Sequence, residues 1–169
     1  MKHSIKRQMA AIFIGVIAGT FLCCALINAF FLKDYYMADK KKAIVSAYEV
    51  LNSGVSSGKY EDNTFKTRLE SICNTDNISI FVMDNSGEPK LATNRDYQML
   101  QKKLYSYIFE TDARDTVVLD TTDKYVIRES QDRMLQADYL EIVGTLDSGE
   151  PFIMQTAIES IRDSAAISN

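Results

Sequence analysis

An α+β domain behind a membrane anchor is the fold this sequence predicts, and three observations carry it. Residues 9–32, MAAIFIGVIAGTFLCCALINAFFL, hold no charged side chain in 24 consecutive positions. As a helix that run is about 36 Å long, enough for a hydrocarbon core of roughly 30 Å. Second, the apolar period changes near Asn77, from the steps of three and four of a helix to the alternation of a strand. Third, Asn85-Ser86-Gly87 and Asp147-Ser148-Gly149 punctuate apolar runs as hairpin turns do.

The first run is too long for the apolar core of a cleaved signal peptide, and few soluble helices are apolar on every face. It reads as an uncleaved anchor over residues 9–32, behind a short cytoplasmic tail at 1–8. Phe30, Phe31, Tyr35 and Tyr36 suit an aromatic belt at the interface. Lys2, Lys6 and Arg7 flank one end and Lys33, Lys40, Lys41 and Lys42 the other, so charge does not set the orientation. A short tail inside and the long domain outside is the arrangement expected of a single N-terminal anchor.

Beyond the anchor the helix is predicted to continue to about Ser53, with Met37, Ile44, Tyr48 and Leu51 on one side and Gly54 as its stop. A second helix spans residues 62–73, capped by Asp62 and burying Phe65, Leu69, Ile72 and Cys73. A strand beginning at Asn77 turns at Asn85-Ser86-Gly87 into a second strand near Pro89. A third helix, 96–109, buries Leu100, Leu104, Tyr107 and Ile108. Strands follow around 117–119, 125–129 and 139–146, and a last one covers 152–155. Thr156 and Glu159 have the spacing of a capping box, and Ile158, Ile161 and Ala165 form a short seam behind them, so residues 157–169 read as a closing helix.

Composition excludes several functions. Residues 33–169 keep 16 of the 19 basic residues and all 23 acidic ones, a net charge of −7 that repels nucleic acid. The one histidine is His3, ahead of the anchor, so a Ser-His-Asp, Cys-His or His-liganded zinc site has no residue to build on in the domain. No Gly-rich phosphate loop occurs, and no cofactor is implied. Asp112, Asp115, Asp120, Asp123, Glu129 and Asp132 lack the spacing of a calcium loop and read as a solvated acidic edge. Cys73, alone outside the anchor, reads as a core residue before it reads as a redox sensor.

The hairpin ISIFVMDNSGEPKLAT resembles the opening hairpin of PAS-like and Cache extracytoplasmic sensor domains. The closing stretch GTLDSGEPFIMQTAIESIRDSAAISN is similar to the end of the sensor region in sensor histidine kinases of Gram-positive bacteria. That likeness implies a PAS-like antiparallel sheet flanked by helices, with residues 33–169 outside the cell and the closing helix returning to the membrane. The phosphoacceptor histidine and the nucleotide-binding lobe of such a kinase are not in the sequence, so the chain is expected to be the input end of one and not itself an enzyme. The resemblance also implies a small-molecule pocket between the sheet and helix 96–109. Arg95, Tyr97, Tyr125, Arg128 and Tyr139 are the candidates to line it, an Arg among tyrosines suiting a carboxylate. Ile158, Ile161 and Ala165 would form the helix that transmits the signal. The partners implied are the membrane, a second copy in a homodimer, and a small molecule or protein as stimulus. A chemoreceptor or cyclic-dinucleotide enzyme would use the same kind of input domain, and a single-pass protein with a partner-binding domain is the other alternative. Residues 33–169, produced without the anchor, should give a circular dichroism spectrum of mixed helix and strand and melt cooperatively. An all-helical spectrum would contradict the fold class.

Overall fold

The computed structural model of the chain describes residues 5–111, 116–132 and 137–158. It divides into two compact units, Met1–Asp39 and Lys40–Asn169. The first is made by α1 (Ile5–Ser56), in which the 21-residue stretch Arg7–Ile27 is long and apolar enough to cross a membrane. None of that stretch is buried, and Phe13, Phe21 and Leu22 are among its exposed side chains. A core helix of a soluble protein would bury such residues. A helix suits lipid because it satisfies its backbone groups internally.

In the second unit, Ile44, Ala47, Tyr48, Leu51 and Val55 of α1 are buried, which is the predicted side of the helix from Ile44 onward. Met37 belongs to the first unit. Gly54 is not the stop that its residue type suggested. The helix runs on to Ser56, and the chain turns at Gly58, where φ is +70°. Gly54 serves packing instead: a Cβ there would lie 2.0 Å from Cε2 of Phe65 in the next helix. That helix, α2 (Asn63–Asp76), is capped by Asp62, whose Oδ1 accepts the Thr64 N–H at 3.0 Å. It buries Leu69 and Cys73 and leaves Phe65 and Ile72 half-buried. Asn77 closes it in the left-handed conformation, donating its N–H to the Cys73 carbonyl, so the strand begins one residue later than its apolar pattern suggests.

β1 (Ile78–Met83) and β2 (Pro89–Ala92) form the first hairpin. Asp84 holds its turn, with Oδ1 accepting the Ser86 hydroxyl at 2.6 Å and the N–H groups of Ser86 at 2.8 Å and Glu88 at 2.9 Å. Those bonds, the Ser86 hydroxyl foremost, keep the Asp84 carboxyl below its usual range. α3 (Gln98–Ile108) follows, two residues shorter at its start than periodicity predicts. Leu100 and Leu104 are buried as expected, but Tyr107 is half-buried and Ile108 exposed. Four antiparallel strands complete the unit: β3 (Thr116–Thr121), β4 (Tyr125–Asp132), β5 (Ala137–Thr145) and β6 (Pro151–Ile158). The sheet order is β2-β1-β6-β5-β4-β3, so the last strand returns beside the first.

Thr156 and Ile158 overturn part of the expected closing helix. Both lie in β6, where Thr156 pairs with Leu140 on one side and Ile78 on the other, and Ile158 pairs with Asp138. The capping-box spacing is a local preference. Here it loses to a ladder that satisfies the strand's backbone groups on both edges. Glu159, Ile161 and Ala165 lie outside the described residues.

The register sorts the side chains into two faces. Phe81, Met83, Val143 and Ile153 meet Leu100 and Leu104 of α3. Phe152 stacks on Tyr48 of α1 at 5.2 Å, and Tyr125 meets the same ring edge-on at 4.6 Å. α2 closes that second face: Thr156 Oγ1 donates to the carbonyl of Asp76 at 3.1 Å, and Lys40 Nζ donates to the same oxygen at 3.2 Å. One spot in β5 tolerates no side chain. A Cβ on Gly144 would stand 2.1 Å from the Lys124 carbonyl oxygen and 2.7 Å from Tyr125 Cα, both backbone atoms. Gly144→Ala should therefore destabilise the unit by about 2–3 kcal/mol, at the upper end of overpacking costs. Urea denaturation should show a lower midpoint with an unchanged slope.

Candidate functional site

Directly across the sheet on the α3 face, register partners line up as Gln155, Glu141, Arg128 and Val118 on β6, β5, β4 and β3. Three of the four are polar and buried, among otherwise apolar neighbours. Glu141 is the centre, with no exposed surface at all. Its Oε2 accepts from Arg128 Nε at 3.0 Å, and its Oε1 accepts from Lys103 Nζ at 2.6 Å and from the Ser130 hydroxyl. Lys103 reaches down from α3 and also donates to Gln155 Oε1 at 3.0 Å. Two rings cover the cations: Lys103 Nζ stands 5.1 Å from the centre of the Tyr139 ring and Arg128 Cζ stands 5.7 Å from that of Tyr107.

Physical necessity explains the composition of this cluster. A carboxylate wholly withdrawn from water is tolerable only when paired and hydrogen-bonded. Arg128, itself 4% exposed, and Lys103 both pair with that one carboxylate. Burial pushes the Tyr139 phenol above its ordinary pKa and nearby Asp132 adds to the effect, so that ring stays neutral beside Lys103.

The five predicted pocket residues do not converge. Arg128 and Tyr139 belong to the cluster. Tyr97 is on the same face but stacks flat on Phe81, 5.3 Å between centres and 9° between planes, as part of the apolar core. Tyr125 is on the other face against Tyr48, and Arg95 is exposed in the loop before α3. Strand alternation separates Tyr125 from Arg128, three positions apart along β4. Lys103, Ser130, Glu141 and Gln155 escaped the sequence reading. Two signals were present: Glu141 interrupts the apolar run YLEIVGT, and Lys103 sits beside Leu104 on the apolar side of its helix.

Elsewhere the chemistry is quiet. No group of three or more metal-ligating side chains occurs among the described residues. Asp120 and Asp123 of the acidic stretch are exposed, and Asp120 is hydrogen-bonded by Lys41 at 2.7 Å. Cys73 is buried and its thiol is pushed up to about 11, by burial first and then by Asp76 and Glu70. It stays protonated at neutral pH, which is the opposite of a reactive thiolate.

No family model, no curated protein and no solved structure matches the chain.

Glu141→Gln should destabilise the unit by about 3–5 kcal/mol, the cost of breaking a buried ion pair from one side. Replacing all three charges together (Glu141→Leu, Arg128→Met, Lys103→Met) should recover most of that loss, because no buried charge is then left unpaired. Urea denaturation of the two variants checks both statements, and a Glu141→Gln variant as stable as the parent would contradict the described geometry.

Proposed function

We propose that this chain is the membrane-anchored, extracytoplasmic input module of a signalling receptor, of the kind found on sensor histidine kinases, with a PAS-like domain as its sensing part. The single observation that carries the reading is the oxygen of Asp76, which ties three elements at one point. Lys40 brings α1 to it, Asp76 itself ends α2, and Thr156 brings β6, the last described strand, to it. α1 supplies both the apolar span and the buried side Ile44-Tyr48-Leu51, so a rearrangement of the sheet is felt by the element that carries the anchor. The element order, hairpin then helix then antiparallel strands returning beside the first, agrees with the likeness of the hairpin sequence to PAS-like and Cache domains.

The tail before α1 lies in the cytoplasm in this reading, and the acidic unit faces outward. The domain binds and transmits. It performs no chemistry of its own, since its polar cluster is spent on internal pairing and the chain's one histidine is His3. A stimulus acts by favouring one packing of α3, α1 and α2 on the sheet over another, and a differential of a few kcal/mol is enough to switch the population.

The test is a graft. Residues 1–169 replace the input region of a sensor histidine kinase whose own second membrane helix, linker and catalytic core are kept. One hydrogen bond is worth about 1 kcal/mol, which moves a two-state ratio roughly fivefold. Thr156→Val, which removes the hydroxyl and keeps the shape, should therefore shift basal phosphorylation by about that factor with the fold intact. Inserting one residue at the start of the kinase's own second membrane helix turns everything downstream by ~100° and should change output as well. Output unchanged by both alterations would overturn the reading.

A further inference from the structure

The two edges of the sheet are built differently. β2 has the marks of a guarded edge: four residues, Pro89 at its start, and Lys90, which is paired with Glu150 and lies over the Tyr60 ring. β3 has none of these. It runs Thr-Val-Val-Leu-Asp-Thr without Pro or Lys, pairs with β4 along one side, and is exposed over five of its six residues. Val117 is 62% exposed, Val118 60% and Leu119 40%. Val117 sits opposite Glu129 and Val118 opposite Arg128, so the two valines point to opposite faces and the edge is apolar on both. A register shift between Val118 and Asp120 makes Leu119 the extra residue of a bulge, which leaves the stretch before it regular.

We propose that β3 is a self-association edge, pairing antiparallel with β3 of a second copy of this chain across a two-fold axis. Three observations favour a copy over another partner. An antiparallel edge is its own complement under a two-fold, so every ladder bond and each valine contact is made twice from one surface. The strand is also electrically neutral: Asp120 is its sole charged residue, and Lys41 pairs with it at 2.7 Å. The chain as a whole carries −4, so this neutral strip lets two like-charged copies approach without direct repulsion. Finally, the edge is only about 20 Å long, so pairing along it alone buries less than the roughly 1,200 Å² of surface that a stable complex in free solution requires. Such a contact suits two copies held in one membrane, where tethering raises the effective concentration to the millimolar range. That last point rests on the anchoring part of the function proposed above; the edge chemistry does not.

The experiment is amide hydrogen exchange on the full chain in phosphatidylcholine vesicles, at high and at low protein-to-lipid ratio. The amides of residues 116–121 should exchange at least ~10-fold more slowly at the high ratio. Val118→Lys, a change at an exposed position that places a charge on the edge, should abolish the difference, and Val118→Thr should retain it. Equal exchange at both ratios overturns the proposal. So does protection that is independent of dilution, as when the chain's own residues cover the strand, or ratio-dependent protection confined to other segments. A chain that fails to float with the vesicles defeats the anchoring reading alone. In that case the same comparison is made with the chain tethered through an N-terminal His tag to chelating lipids at high and low surface density, where equal exchange at 116–121 overturns the edge pairing.

Discussion

A carboxylate with no access to water organises one whole face of this domain. Glu141 is bound by Arg128 from the neighbouring strand, by Lys103 from the helix above and by the Ser130 hydroxyl, while Gln155 accepts a second bond from Lys103. Each of those partners is thereby fixed. Lys103 can reach Glu141 only if α3 lies over β6 and β1, alongside β5, and that placement sets Leu100 and Leu104 on Phe81, Val143 and Ile153. Ion pairs of this kind contribute less to net stability than apolar groups of equal volume would, because both charges must be stripped of water. What they supply is a unique answer to where the helix sits, since any other placement leaves a buried charge unpaired.

The opposite face reaches the same specificity by shape. Tyr48 lies flat on Phe152 and edge-on to Tyr125, which are brought near each other by the pairing of β4, β5 and β6. Gly144, between them in register, has to be a glycine because the Lys124 carbonyl occupies the space of its Cβ. The polar tie at the Asp76 carbonyl adds direction to that packing, joining the end of α2 to α1 and to β6 where shape alone would let them slide. The sheet is therefore held by a charged clamp on one face and an aromatic clamp on the other.

Much of this was written plainly in the amino acids. The 24-residue uncharged run determined a helix long and apolar enough to cross a membrane, because length and composition are both read directly from the residues. The helical period of Ile44, Tyr48 and Leu51, the Asp62 cap, and the turns at Asn85-Ser86-Gly87 and Asp147-Ser148-Gly149 determined most of the α+β order, since each acts within a few residues of itself. Central strands β1 and β6 were legible because they are buried on both faces and read as continuous apolar runs. The tertiary structure decided what depended on partners distant in the chain. Thr156 and Ile158 carried a helix signal, and two neighbouring strands overrode it. Gly54 looked like a stop and proved to be room for the Phe65 ring. Tyr125 and Arg128 looked like one site, but the face each presents depends on register, which three residues of spacing do not reveal. Lys103 and Glu141, 38 positions apart, meet only because β5 pairs with β6, the strand beneath α3. A buried charge pair of this kind leaves no local mark beyond a polar residue in an apolar run, and only the fold supplies its partner.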